Sequence, residues 1–230
     1  MALEIGRKND VNRVRRNEMT TIALIVMLSG APIPAMVGVA GGQVKAPGAD
    51  LTALKSAGSR QAPITIEVFS DYQCPQCKQF YLTTTQQLMD NYVATGKVFF
   101  VHRDFPLPMH SYSHEAARWA NAAAEAGQFE MAQRALYNKQ DDWGSTGKIE
   151  ATLAAALSPA DMKKIRTIES MEAPQIDAAI GRDIALGNSR QVTGTPSIFV
   201  MHAGQTTALP AGGVNYALLK QYLDYLLQQR

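Results

Sequence analysis

The two cysteines of this 230-residue chain stand two positions apart, in the tetrapeptide Cys74-Pro75-Gln76-Cys77. Two thiols at this spacing can close a small, reversible disulfide, and the chain has no third thiol to compete for it. The same spacing also supplies half of a structural zinc site. The pair therefore predicts a dithiol–disulfide centre, with a metal centre as the alternative.

The residues around the pair predict a strand that leads into a helix. The run from Ile64 to Phe69 is rich in β-branched and aromatic residues, which is typical of a buried strand. Pro75 suits the first turn of a helix, and apolar residues recur at helical spacing from Lys78 to Tyr92. We therefore expect Cys74 at a helix N-terminus, where unpaired N–H groups and the helix dipole lower the thiol pKa. A thiolate is both the attacking species and the good leaving group in disulfide exchange.

A zinc site is disfavoured by the ligands that the sequence offers. A closed zinc site needs four ligands, so two must come from the histidines in addition to the two cysteines. The chain has four histidines, of which His110 and His114 are spaced to share one helix face. Their spacing to the cysteines matches none of the common zinc modules. The redox interpretation is therefore preferred, and a metal-carrying thiol pair stays open.

The N-terminal region predicts export. Residues 1–18 hold five basic and three acidic side chains, a net charge of +2 that equals the formal charge of the whole chain. The remainder is neutral on balance, so we expect no nucleic-acid partner. Residues 19–42 carry no charged side chain and are largely apolar. Residues 1–42 are thus predicted to be a signal peptide or an N-terminal membrane anchor, and both place the cysteines outside the cytoplasm.

The rest of the chain predicts one α/β domain. Residues 43–61 are rich in Gly, Ala, Pro and Ser and are predicted to be a linker, followed by a folded domain over residues 62–230. A second strand at residues 97–102 is expected to run parallel to the first. A helical insert then covers about residues 113–191, with helices predicted at 115–126, 129–137, 148–157, 159–170 and 173–188. Strands at 197–201 and 206–209 and a helix at 215–229 complete the domain.

Four stretches in this order resemble a known family. They are the segment from Ala62 to Cys77, the run His102 to Pro108, the sequence Glu115-Ala116-Ala117 at the start of the insert, and Thr195-Pro196 before the third strand. Together they resemble the DsbA type of thioredoxin-fold disulfide oxidoreductases, in the bacterial secreted or membrane-anchored branch. The resemblance implies a thioredoxin fold with a large helical insertion between the second strand and the cis-proline strand.

The resemblance also implies a role for each matched residue. Cys74 is expected to be the exposed nucleophile that forms a mixed disulfide with a client, and Cys77 the more buried resolving thiol. Pro196 is expected to be cis and to face the disulfide. Thr195 is expected to offer its backbone to a client peptide as an extra strand.

Two positions depart from the family pattern. Pro75 and Gln76 are expected to tune the redox couple, and Gln76 stands where strongly oxidising members carry histidine. Val68 occupies the position, six residues before the first cysteine, where related proteins place a buried glutamate that relays protons. Glu67 lies one residue earlier, on the opposite face of the strand. Three alternatives follow for the proton relay. Glu67 performs it from a shifted strand, Asp71 or water performs it instead, or the relay is absent and Glu67 is a structural acid.

The resemblance implies an exported protein disulfide oxidoreductase. We expect it to donate its disulfide to reduced secreted proteins, to be reoxidised by a membrane partner, and to need no cofactor beyond the Cys74–Cys77 disulfide. One alternative is a periplasmic reductase or isomerase kept as a dithiol. Another is a chaperone or metal carrier whose thiols bind a ligand without turnover.

Overall fold

The structure, a computed structural model, describes residues 51–210 and 214–229 of the chain. The predicted signal or anchor segment, residues 1–42, and residues 43–50 of the predicted linker lie outside the described residues. In the described part of the chain, none of the helices combines the length and apolar character needed to cross a bilayer.

A mixed sheet of five strands forms the centre of the described region, in the order β1-β3-β2-β4-β5. The central strand β2 runs parallel to β3 and antiparallel to β4, which confirms the predicted parallel pairing of the first two long strands. The strands are β1, Ser56–Ala57; β2, Ile64–Ser70; β3, Val98–Asp104; β4, Ser197–His202; and β5, Gln205–Ala208.

Helices surround the sheet, and those from α3 to α8 form the insert between β3 and β4. Each of the five helices predicted within the insert is present. The helices are α1, Pro75–Phe80; α2, Gln86–Leu88; α3, Ser113–Glu125; α4, Phe129–Asn138; α5, Gln140–Trp143; α6, Ile149–Ala156; α7, Pro159–Met171; α8, Ala173–Ser189; and α9, Tyr216–Gln228. The predicted α/β architecture with a helical insert is confirmed.

The helix that begins at the cysteine motif is longer than α1 alone. Two π-helical turns, Tyr81–Thr85 and Met89–Val93, alternate with α1 and α2, so helical backbone continues from Pro75 to Val93. The predicted amphipathic helix is thus present, but its turns are partly wider than the 3.6-residue period that the prediction assumed.

Part of the predicted linker is folded. Residues 51–55 form a 3-10 helix, and β1 pairs antiparallel with β3. Leu51 and Lys55 are both buried, and the Lys55 ammonium group binds the carboxylates of Asp104 and Asp183. Hydrophobic periodicity does not reveal that residues 51–57 are folded, because a buried ion pair holds them rather than an apolar face. The prediction therefore placed the start of the domain at Ala62.

Two apolar clusters flank the sheet and position the cysteines. Strand alternation places Ile64, Ile66 and Val68 on one face of β2, where they pack with the helical segment from Pro75 to Val93 and with α9. The second cluster is built mainly by the insert, and it includes both Cys74 and Cys77. The cysteines therefore lie where the helical insert meets the end of β2.

Candidate active site

Cys74 occupies the N-cap position of α1. Its backbone is extended, with φ −74° and ψ 122°, and Pro75 follows in the first turn. The backbone N–H groups of Cys77 and Lys78 each donate to the Cys74 carbonyl oxygen at 3.1 Å. The structure thus places the first cysteine at a helix N-terminus, as the sequence predicted, and turns the second back toward the core.

The loop before β4 covers Cys74. The Thr195–Pro196 peptide bond is cis, as predicted, and the Cys74 thiol donates to the Thr195 carbonyl oxygen at 3.3 Å. Cys74 is consequently 6 % exposed, which corrects the expectation of an exposed nucleophile, whereas Cys77 is 1 % exposed. The residues that reach solvent at the motif are Pro75 and Gln76.

The two thiols differ in acidity. Hydrogen bonds from the Cys77 thiol, from the Thr195 side-chain hydroxyl and from the backbone N–H groups of Cys77 and Gln76 outweigh burial and lower the pKa of Cys74 to about 5. Burial raises the pKa of Cys77 well above its usual range, and the neighbouring Cys74 adds to that shift. No cation contributes, so the neutral Gln76 does not prevent a stabilised thiolate at Cys74.

This difference in acidity predicts how the reduction potential depends on pH. Between pH 6 and pH 8 the disulfide should take up one proton on reduction, because Cys74 stays ionised and Cys77 becomes protonated. For a two-electron couple, one proton makes the potential about 30 mV more negative per pH unit. Equilibration with glutathione at several pH values measures the slope. A slope of about 60 mV per pH unit, as expected for two ordinary thiols, would contradict the assigned acidity.

A buried carboxylate organises the loop that carries the cysteines. Asp71 accepts hydrogen bonds from the backbone N–H of Gln73 at 2.7 Å and of Leu107 at 2.8 Å, from the His110 ring at 2.7 Å, and from the Ser113 hydroxyl. Its own N–H donates to the Cys77 sulfur at 3.5 Å. Asp71 therefore ties the residues before the motif to the entry of the insert.

The short helix α5 supports the motif from the other side. The Gln140 side chain donates to the carbonyl oxygens of Tyr72 at 2.7 Å and of Cys74 at 3.0 Å. The Gln73 side chain donates to the Gly144 carbonyl oxygen at 2.8 Å. Both ends of the motif's entry loop are thus fixed by hydrogen bonds to residues about 70 positions away in sequence.

Among the described residues, no group of three or more His, Cys, Asp and Glu side chains converges in a way that could hold a metal ion. His110 is bound to Asp71, and His114 lies 4.0 Å from Asp177 on the insert. The two histidines that the sequence offered as ligands are therefore directed to carboxylates.

Comparison with known proteins places the chain in a family. A family profile described as Thioredoxin matches residues 54–212, which is more than half of the chain. The chain belongs to the thioredoxin family. Its domain shares the fold of BdbD from Bacillus subtilis in the oxidised state, with a TM-score of 0.61 and 21 % identity over 76 % of this chain and 92 % of that one.

Two curated proteins share sequence with this thioredoxin-family chain. The probable disulfide bond formation protein D of Bacillus cereus is 22 % identical over 151 residues, covering 64 % of this chain and 69 % of that protein. The Na(+)/H(+) antiporter NhaA 3 of Salinispora tropica is 31 % identical over 144 residues, covering 62 % of this chain but 21 % of that protein. The chain thus spans about a fifth of the length of the antiporter. The resemblance to DsbA-type proteins is confirmed.

Glu67 lies in an ion-pair cluster of the thioredoxin-family domain. Its carboxylate binds the guanidinium groups of Arg103 and Arg190. Burial opposes its charge, but hydrogen bonds and charge from the two arginines prevail, so the pKa of Glu67 lies below its usual value. A carboxylate with a lowered pKa carries no proton to deliver at neutral pH. These contacts favour the structural interpretation of Glu67.

Sequence reasoning missed several residues that shape the site. Gln140 lies in a helix of four residues, too short to show an apolar period. The sequence places Ser70 in the lead into the motif and Tyr137 in a predicted helix, with no sign that the two meet. The Ser70 and Tyr137 hydroxyl groups lie 2.7 Å apart beneath the motif. Nothing in the local sequence links residues separated by 67 positions.

Proposed function

We propose that the chain is an exported thiol–disulfide oxidoreductase that donates its Cys74–Cys77 disulfide to reduced secreted proteins. The observation that carries the proposal is the contrast between the two thiols. The pKa of Cys74 is lowered to about 5, whereas burial raises that of Cys77. One sulfur is thus suited to exchange with another protein and the other to resolve the product.

The proposed reaction follows from this contrast. A client thiolate attacks the Cys74 sulfur, a client–Cys74 disulfide forms, and Cys77 leaves with the electron pair as a thiolate that takes up a proton. A second client thiolate then attacks the client sulfur, so the client gains a disulfide and Cys74 leaves as a thiolate. The client is oxidised, the Cys74–Cys77 pair is reduced, and no cofactor is required.

The acidity of Cys74 supports oxidation as the favoured direction. The lowered pKa of Cys74 stabilises the reduced form of the folded protein. This contribution is complete above the ordinary thiol pKa, decreases below it, still holds in part at pH 7, and is lost as the pH falls through about 5. The disulfide form gains no such stabilisation, because its Cys74 sulfur carries no ionisable proton. At neutral pH the reduced state is therefore favoured, which makes the disulfide a good donor.

The loop at Thr195 is the proposed client-binding element. Its carbonyl oxygen faces the Cys74 sulfur, so a peptide that pairs with this backbone would bring its own cysteine to Cys74. Reoxidation of the pair after each cycle would fall to a membrane partner on the extracytoplasmic side, where clients with unformed disulfides also occur.

The reduction potential of the full chain tests the proposal. We expect a value more positive than about −180 mV in glutathione buffers, and faster oxidation of a reduced secreted protein with the oxidised chain than without it. A value near about −270 mV would instead indicate a reductase. Failure of the pair to cycle would overturn the catalytic proposal in favour of a binding module, and retention of stoichiometric zinc would identify a metal carrier.

A further inference from the structure

The main-chain N–H of Asp71 points at the sulfur of Cys77. The nitrogen lies 3.5 Å from that sulfur, and Asp71 directly follows the last residue of β2. The carbonyl oxygen of the same peptide group, that of Ser70, accepts a hydrogen bond from the Phe105 N–H at 2.8 Å. A trans peptide group is planar and its N–H and C=O point in opposite directions. The contact with Phe105 therefore also fixes the direction of the Asp71 N–H.

The Asp71 side chain holds the same residue from another side. It is 1 % exposed, and each of its two carboxylate oxygens meets two hydrogen-bonding groups. One oxygen accepts from the Gln73 N–H at 2.7 Å and from the Ser113 hydroxyl. The other accepts from the Leu107 N–H at 2.8 Å and lies 2.7 Å from Nδ1 of His110. A carboxylate can accept about four hydrogen bonds, so this one is fully occupied.

His110 contributes the one ring among these four partners. Because the carboxylate is an acceptor, the ring in contact with it carries its proton on Nδ1. A tight turn sets the position of the ring, since the His110 N–H donates to the Leu107 carbonyl oxygen at 3.0 Å. The turn brings the ring and the Leu107 N–H to the same carboxylate oxygen of Asp71.

We infer that the Asp71 main-chain N–H is a catalytic group that stabilises the Cys77 sulfur as the disulfide opens, and that His110 is the positioning residue that holds Asp71 in place. The inference rests on the proposed exchange function and adds a donor for its buried leaving group. A sulfur that is 1 % exposed is shielded from water, so negative charge on it depends on donors that the protein supplies. Asp71 acts through its main chain, and its carboxylate anchors the residue.

The step that this donor assists is the opening of the disulfide. An incoming thiolate forms a bond to the Cys74 sulfur, the Cys74–Cys77 bond breaks, and its electron pair goes to the Cys77 sulfur. The hydrogen bond from the Asp71 N–H strengthens as negative charge develops on that sulfur. Asp71 keeps its own proton throughout, and the Cys77 thiolate takes up a proton from solvent afterwards.

The acidity of Cys77 agrees with this geometry. Burial raises the pKa of Cys77 and the neighbouring Cys74 raises it further, while the Asp71 N–H is one of the groups that lower it. Without that hydrogen bond the departing thiolate would be less stable and a poorer leaving group. The charge of the Asp71 carboxylate has the opposite effect, because a negative charge near a thiolate raises the pKa of the thiol.

The rate at which glutathione reduces the oxidised full-length protein at pH 7 tests the role of His110. His110→Ala should slow this step about threefold to fivefold, because the Asp71 N–H is then held less firmly on the leaving sulfur. His110→Asn retains an N–H donor close to the position of Nδ1 and should restore the rate to within about twofold. His114→Ala is the matched control and should leave the rate unchanged, since this histidine faces Asp177 at 4.0 Å. Neutral dithiothreitol should give the same ratios, because the effect lies on the leaving sulfur.

Asp71→Asn separates the position of this residue from its charge. In either orientation of the new amide, its NH2 group faces the N–H of Gln73 or that of Leu107, so one of the two main-chain anchors is lost. Positioning therefore predicts that reduction by glutathione slows about fivefold. Removing a negative charge beside a departing thiolate would by itself speed the reaction. A faster Asp71→Asn protein would contradict the inference.

The thiolate titration of Cys77 separates this role from a purely structural one. In the Cys74→Ser protein, adding His110→Ala should move the ultraviolet absorbance of the Cys77 thiolate to higher pH, while urea unfolding reports any loss of stability separately. Slower reduction without this shift, a His110→Asn rate as low as that of His110→Ala, or an unchanged His110→Ala rate would overturn the inference and leave the proposed function standing. A wild-type protein that does not exchange with glutathione would overturn both.

Discussion

Replacing Lys55 by methionine is expected to lower the free energy of unfolding by about 3–5 kcal/mol, because it leaves two carboxylates buried without their shared cation. Lys55 is 2 % exposed and binds Asp104 and Asp183, which are 0 % and 4 % exposed. Burial alone would raise the pKa of Asp104, but Lys55 and His102 hold it below its usual range. Methionine fills the space of the lysine stem but offers no charge.

Urea unfolding measures this effect as a lower midpoint with an unchanged slope. Arg166→Met is the matched control, because it removes the cation of an exposed pair with Glu150 and should cost less than about 1 kcal/mol. Adding Asp104→Asn to Lys55→Met should recover part of the loss, since one uncompensated charge is removed. If Lys55→Met costs no more than the control, the ion pair does not hold residues 51–57 to the domain.

The described elements that sequence predicts best are those with a clear apolar period. The strand expected at residues 64–69 is observed as Ile64–Ser70, and the helix expected at 159–170 as Pro159–Met171. In α7 the start is also marked chemically, because Ser158 caps the helix by accepting from the Asp161 N–H and Pro159 follows. Local sequence patterns are enough to predict an element when nearby residues define both its apolar face and its two ends.

The elements that sequence misses depend on contacts between distant residues. Lys55 meets Asp183 across 128 positions, and Gln140 meets Tyr72 across 68. A lysine in a Gly- and Ser-containing stretch predicts a solvated side chain, and a carboxylate in a helix predicts an exposed one. Lys55 and Asp183 can be buried only because the fold brings their opposite charges together, and neither local sequence shows this.

The candidate site also has a part that local sequence predicts and a part that depends on distant contacts. Cys74, Cys77 and Pro196 lie in motifs that can be read directly, and the structure brings Cys74 within 3.3 Å of the residue before Pro196. The environment of the thiols could not be predicted, because it depends on Tyr137 and on how deeply both thiols are buried. Glu67 shows the limit of motif reasoning, since its partners are two arginines that no local pattern connects with it.

Removing either cysteine is expected to abolish catalytic disulfide exchange, but the two variants should differ in what they accumulate. Cys77→Ser keeps the nucleophile and a hydroxyl that can still donate to it, so the pKa of Cys74 should remain low. Incubated with oxidised glutathione, this variant should form one mixed disulfide per chain, which dithiothreitol reverses. Cys74→Ser retains a thiol that is 1 % exposed and should react slowly.

The pH dependence of mixed-disulfide formation decides between the two thiols. Cys74, with a pKa of about 5, is largely ionised from pH 6 upward, so the Cys77→Ser rate should change less than about twofold between pH 6 and pH 8. Burial raises the pKa of Cys77, so the Cys74→Ser rate should rise about tenfold per pH unit over this range. The Cys77 thiolate is intrinsically more nucleophilic than the Cys74 thiolate, which offsets part of its low ionisation. The two variants should therefore differ most at pH 6, where Cys77→Ser should react at least about tenfold faster than Cys74→Ser.

Mass spectrometry of quenched samples follows both reactions. Equal rates at pH 6, or a Cys77→Ser rate that climbs with pH as an ordinary thiol does, would show that Cys74 is not the activated nucleophile.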